Sequence, residues 1–150
     1  MSTLGWSLLI FVHVMAAAFW VGGQLMLVVV VLPLLRRDTT PQMVQALASA
    51  TGQRFAYLTN RVLLPVLVLT GVALAWLSGI RPDNLTSTSF GKVLLVKVVL
   101  VIAVFSLAAL HGLAARRWRR RHIRTMAVAT LVISIAIVGL GASLAVLPGP

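Results

Sequence analysis

The chain has 150 residues, 60% hydrophobic and 10% charged, with a formal net charge of +11 and no cysteine. A soluble domain carries about 25% charged residues, so lipid must solvate most of this surface. The absent cysteines exclude disulfides, thiolate metal sites and haem attached through cysteine, and arginines confined to short segments beside apolar runs argue for membrane topology rather than nucleic acid.

A hydrocarbon core takes about 20 apolar residues of helix to cross. The first such run covers 6–35 and is interrupted among strongly polar types only by His13 and Gln24. It has no basic region ahead of it and is far longer than a signal core, so it is expected to stay as a span. The connection that follows is polar, and Thr40-Pro41 suits an N-cap and first turn, predicting a short interfacial helix at about 41–50. The second span covers about 57–77, with Pro65 expected to kink it. The segment 78–89, with Gly79, Pro82, Asp83 and Asn84, reads as a turn-rich loop. The third span, 92–115, contains Lys97 and His111, and a tight basic connection from Arg116 to Arg124 leads into the fourth, 126–147.

Each run must be helical, because an unpaired backbone amide in lipid costs several kcal/mol. The predicted fold is therefore all-α: a single-domain (1–150) integral membrane four-helix up-down bundle. Lysine and arginine concentrate in the first and third connections, and the N-terminal segment has none. Positive-inside then puts those connections in the cytoplasm and both termini outside, in a multi-pass protein of a bacterial-type inner membrane. Anionic lipid at the cytoplasmic face, a second copy or a larger membrane complex are the partners this charge suits.

Ionisable residues at membrane depth are functional candidates because each is costly there. His13 and Lys97 each lie seven residues inside an outer marker, Trp6 and Phe90, or roughly 10 Å deep. Thr70, six residues from Trp76, falls at a similar level, so the three could form an outer polar layer. Gln24 and His111 fall at roughly 27 and 31 Å, near the opposite side. His13 and His111 then differ in depth by about 20 Å and are poor candidates for two axial ligands of one haem. His13, Ala17, Trp20 and Gln24 share one helix face.

The bland alternatives stand beside these. Lys97 is close enough to the surface to snorkel, His13 could hydrogen-bond a neighbouring helix, and His111 could be interfacial. Gln24 suits helix–helix glue, and Ala18, Gly22, Gly23, Gly139 and Ser143 suit close helix packing. His122, inside the arginine run, is expected to be solvated. No residue is assigned a catalytic role.

The run from His13 through Ala16, Ala17, Ala18 and Trp20 to Gly22 and Gly23 resembles the first helix of CopD-type membrane domains. Arg54-Phe55 ahead of Leu69-Thr70-Gly71 is similar to their second, and Phe90-Gly91-Lys92 through Lys97 to Leu110-His111 to their third. The resemblance spans about 9–115 and implies copper handling at the inner membrane by a short, stand-alone module. More distantly the chain resembles HemJ-type protoporphyrinogen oxidases, which implies haem b with a first-helix His and a third-helix Lys. Where that family has a basic aromatic-Leu-Pro-Arg segment, this chain has Met-Leu-Val-Val-Val-Val-Leu-Pro at 26–33.

Copper calls for imidazole or thioether donors, so His13 and Met15 are the candidate metal ligands, although two residues apart they occupy different faces. Haem b calls for an axial ligand beside room for a macrocycle, which His13 with Ala16 and Ala17 offers; Lys97 and His111 are the further cofactor candidates.

Overall fold

The computed structural model describes the backbone at residues 2–82, 85–114 and 120–147, and side chains at 2–82, 85–107 and 125–147. All regular structure among them is helical. Four helices are long and apolar enough to cross a membrane: Thr3–Asp38, Pro41–Leu77, Ser89–Leu107 and Thr125–Leu144. The chain divides into two compact units, Met1–Leu74 and Ala75–Pro150.

The first unit is a helical hairpin. Its first arm is α1 (Thr3–Leu25), a π-helical segment (Met26–Val31) and α2 (Leu32–Asp38). The Ser2 hydroxyl caps the start, accepting from the Gly5 amide at 3.3 Å. The second arm is α3 (Pro41–Leu58), a π-helical segment (Thr59–Leu63) and α4 (Leu64–Leu77). Thr40 caps it by accepting from the Met43 amide, with Pro41 in the first turn where its missing N–H costs nothing.

The helix expected at 41–50 thus begins where Thr40-Pro41 indicated but does not stop. It runs on to Leu77, so the expected interfacial helix and second span are one rod. The arms have 36 and 37 residues. At about 1.5 Å per residue each is about 54 Å long, well beyond a hydrocarbon core of about 30 Å. The closed end of the hairpin, with Arg36 and Arg37, must therefore extend past the lipid.

Both π segments sit immediately ahead of a proline. The Leu32 amide donates to the Leu27 carbonyl and the Leu64 amide to the Thr59 carbonyl, five residues back in each case. Pro33 and Pro65 follow by one residue. A helical proline lacks its N–H and clashes with the carbonyl four residues earlier, here Val29 and Arg61. Widening the turn absorbs that conflict, so the kink expected at Pro65 is realised as a π turn, and Pro33 produces another.

In the second unit, Gly79 takes φ 83° to end α4, a left-handed conformation that costs glycine little. The Arg81 guanidinium donates to the Trp76 and Ile80 carbonyls at 2.9 and 2.8 Å and stacks 4.0 Å from the Trp76 ring centroid. α5 (Ser89–Ala114) starts at a Thr88 cap whose hydroxyl accepts from the Gly91 amide at 3.0 Å. It packs against α6 (Arg120–Leu144). Val104 and Ser134 are fully buried there, flanked on α6 by Leu131 and Ile137. Ser134 and Thr130 turn their hydroxyls back to the carbonyls of Thr130 and Met126.

Candidate functional site

His13 projects from α1 towards α4. Its Nδ1 lies 2.7 Å from Thr70 Oγ1. Thr70 Oγ1 in turn lies 2.6 Å from the Val66 carbonyl oxygen, which can only accept. Two oxygens that close require the hydroxyl proton between them, so Thr70 donates to Val66. Its oxygen then accepts from His13, which must carry a proton on Nδ1. The Thr70 hydroxyl thus orients the imidazole through its Nδ1 side.

Gly71, the residue after Thr70, makes room for the ring. A Cβ there would come 3.3 Å from His13 Cε1 and 3.9 Å from Nδ1. On α1, Ala16 and Trp20 are buried, and His13, Ala17 and Gln24 are half-buried. Thr59, in the second π segment, is also buried, and among the described residues its hydroxyl is the buried side-chain atom without a hydrogen-bond partner.

Lys97 occupies an equivalent niche in the second unit. A Cβ on Gly141 would lie 3.2 Å from its Nζ, so the side chain lies along α6 over a bare stretch of backbone. The half-buried lysine is at the α5–α6 contact.

Met15 is exposed and, two residues from His13, stands about 200° around the helix from it, on a different face as expected. Of the residues expected at helix contacts, Gly23 does pack, with the Phe55 ring edge where its Cβ would be. Ala18 and Gly22 are exposed, with nothing near a Cβ at Gly22. Gly139 and Ser143 are exposed too, and the close approach on α6 falls two residues away, at Gly141. The side chains of His111 and His122 lie outside the described residues. Among the described residues no three His, Cys, Asp or Glu side chains gather as a metal cluster.

Fold and polar stations together define a polytopic helical membrane protein with single ionisable side chains seated beside glycines at membrane depth. The chain belongs to the CopD family, copper resistance protein D, whose model matches residues 49–144. That stretch contains Thr70, Gly71, Lys97 and Gly141 and begins after His13. The chain is also similar to the copper transport protein CutJ of Bacillus subtilis (strain 168), 31% identical over 140 residues, covering 93% of this chain and 25% of that protein. It thus spans about a quarter of CutJ's length. An uncharacterized protein of Aquifex aeolicus (strain VF5) is 31% identical over 142 residues, covering 89% of this chain and 91% of that one. No solved structure matches. The haem b alternative gains no support from these matches.

Proposed function

We propose that this protein carries copper ions at a bacterial inner membrane, with His13 as the imidazole donor that receives the ion from the outer side. The observation that carries the reading is the His13 Nδ1–Thr70 Oγ1 hydrogen bond of 2.7 Å, in a chain of the CopD family. Imidazole nitrogen is a good copper donor, and the Thr70 hydroxyl bonded to its other nitrogen spares the ligand the cost of ordering itself on binding. In this reading the termini face outward and the arginine-rich connections face the cytoplasm, as the distribution of charge in the sequence favours. His13 then lies about 10 Å below the outer boundary, reachable from outside. One imidazole does not complete a copper site. CutJ, named for copper transport, is about four times as long as the matched segment, so the remaining donors are expected from another part of the assembly, such as a second copy or a larger membrane complex.

The test is cell-associated copper, measured by elemental mass spectrometry in a bacterium without its own copper importer. Wild-type protein should raise copper above the empty-vector level, and His13→Ala, present in the membrane at equal amount, should return it to that level. No rise with wild-type protein, or an undiminished rise with His13→Ala, would sink the reading.

A further inference from the structure

Contacts across the first hairpin fix which way its second arm faces. The Phe55 ring occupies the space where a Cβ on Gly23 would stand. The Thr70 hydroxyl meets His13 Nδ1 at 2.7 Å, and a Cβ on Gly71 would meet the same imidazole. Phe55, Thr70 and Gly71 therefore all look at the first arm. Thr59 and Leu63, between Phe55 and Thr70, are buried.

One uninterrupted α-helix would not place them so. At about 100° per residue, Thr70, fifteen residues after Phe55, would stand about 60° to one side of the Phe55 direction, and Gly71 about 160°, nearly opposite. Leu69 would fall within about 40° of that direction. Yet Leu69 is 70% exposed. The π-helical segment at Thr59–Leu63 removes the conflict. A turn closed over five residues takes up one residue more than a turn closed over four, so everything after it is set back by about 100°. Thr70 then stands about 40° to one side of the Phe55 direction and Gly71 about 60° to the other. Leu69 and Val72 turn to the far side, about 140° and 160° away, in keeping with their exposures of 70% and 63%.

The wide turn is tied to Pro65. The proline has no N–H to offer, and its ring clashes with the Arg61 carbonyl of a regular turn. The Leu64 amide donates instead to the Thr59 carbonyl, five residues back. We infer that Pro65 is a positioning residue for the His13 site: the wide turn it imposes aims Thr70 and Gly71 at the imidazole. Pro65 itself stands about 180° from the Phe55 direction, so it acts only through the helix.

The experiment reads the imidazole. Full-length protein in detergent carries histidine labelled with ¹⁵N in the ring, and the His13 resonances are assigned by their loss in His13→Ala. Thr70→Val should shift the Nδ1 resonance and so mark its position without the hydroxyl. Pro65→Ala lets the turn close over four residues and should move the resonance to the Thr70→Val position. Pro65→Ala with Asn60 deleted removes the surplus residue as well, restores the phase in a plain α-helix and should return the resonance to the wild-type position. Asn60 is exposed, so its loss empties no core. Pro33→Ala is the control, because the first arm's wide turn at Met26–Val31 comes after both His13 and Gly23. It should leave the resonance in place. No shift in Thr70→Val or Pro65→Ala, a Pro65→Ala shift that the deletion does not reverse, or an equal shift in Pro33→Ala would each overturn the inference. If Pro65→Ala does not fold, deleting Asn60 with the proline retained decides: it turns Thr70 by about 100° and must also move the resonance. The purpose of the site rests on the copper reading, but this readout does not. Wild-type protein that accumulates no copper, with the resonances behaving as stated, would remove the copper reading and leave Pro65 as the residue that aims the pair.

Discussion

Gly71 and His13 touch across the first hairpin: a methyl group on Gly71 would stand 3.3 Å from His13 Cε1. The absence of a side chain at one position thus sets where an imidazole can sit on another helix. Gly71→Ala should leave the hairpin folded and push the ring by a few tenths of an ångström, stretching its bond to Thr70. Copper accumulation should fall several-fold. Gly22→Ala, which meets nothing within 4 Å, should leave accumulation unchanged and raise helix stability by about 0.5 kcal/mol or more. Equal accumulation in both variants would show that the ring's position does not matter.

Thr70 offers a cleaner separation of orientation from bulk. Thr70→Ser keeps the hydroxyl and should retain copper accumulation. Thr70→Val keeps the shape and removes the acceptor, leaving the His13 N–H to find another partner at a cost of about 1–3 kcal/mol. Thermal unfolding in detergent should show the loss, and copper accumulation should fall with it. A normal Thr70→Val protein would mean that Nδ1 is held by some other contact.

Lys97 and Gly141 make the corresponding test in the second unit. A methyl on Gly141 would come 3.2 Å from a flexible chain end, so Gly141→Ala should fold, with the ammonium displaced. Lys97→Arg places a broader, permanently charged head over the same backbone and should lower the melting temperature. Lys97→Met keeps the length and removes the charge, and should melt no lower than wild type. If copper accumulation survives Lys97→Met, the amine is not part of the transport path.

Orientation has its own check. Reporter fusions at residue 84, in the second connection, and residue 120, in the third, should report opposite sides of the membrane, outside and cytoplasm. Reports from one side for both would contradict the four-span topology with outward termini.

The spans were legible because lipid leaves a chain little choice: uninterrupted apolar runs must be helices. Depth counting from Trp6 and Trp76 also put His13 and Thr70 at one level, and they meet at 2.7 Å. The continuation of the second helix back to Pro41 was not legible. Its outer turns carry Gln42, Gln45, Ser49 and Gln53, and hydropathy registers only the part of a rod that is in lipid. Nor did small-residue patterns say which glycines face a neighbour. Gly22 and Gly23 are adjacent, yet about 100° of rotation separates open space from the Phe55 ring. Gly139 and Gly141, two residues apart, differ by about 200° of rotation, and only Gly141 meets a neighbour. Gly141 carried no signal in the sequence, because its meaning comes from a lysine on another helix.

The two proline-led π turns introduce a phase slip into each arm of the hairpin. A turn closed over five residues holds more chain than one closed over four, so the stripes on either side of it are rotated out of line. A helical wheel drawn continuously through the first arm is valid up to Leu25 and then again only from Leu32. The lipid-immersed half, with His13 and Thr70, and the basic half, with Arg36, Arg37 and Arg54, therefore set their faces independently. Cross-linking pairs or scanning substitutions designed on one uninterrupted period would be correct in one half and mis-aimed in the other. By the same reasoning, a relative with neither proline should align with a one-residue gap at Met26–Val31 and another at Thr59–Leu63.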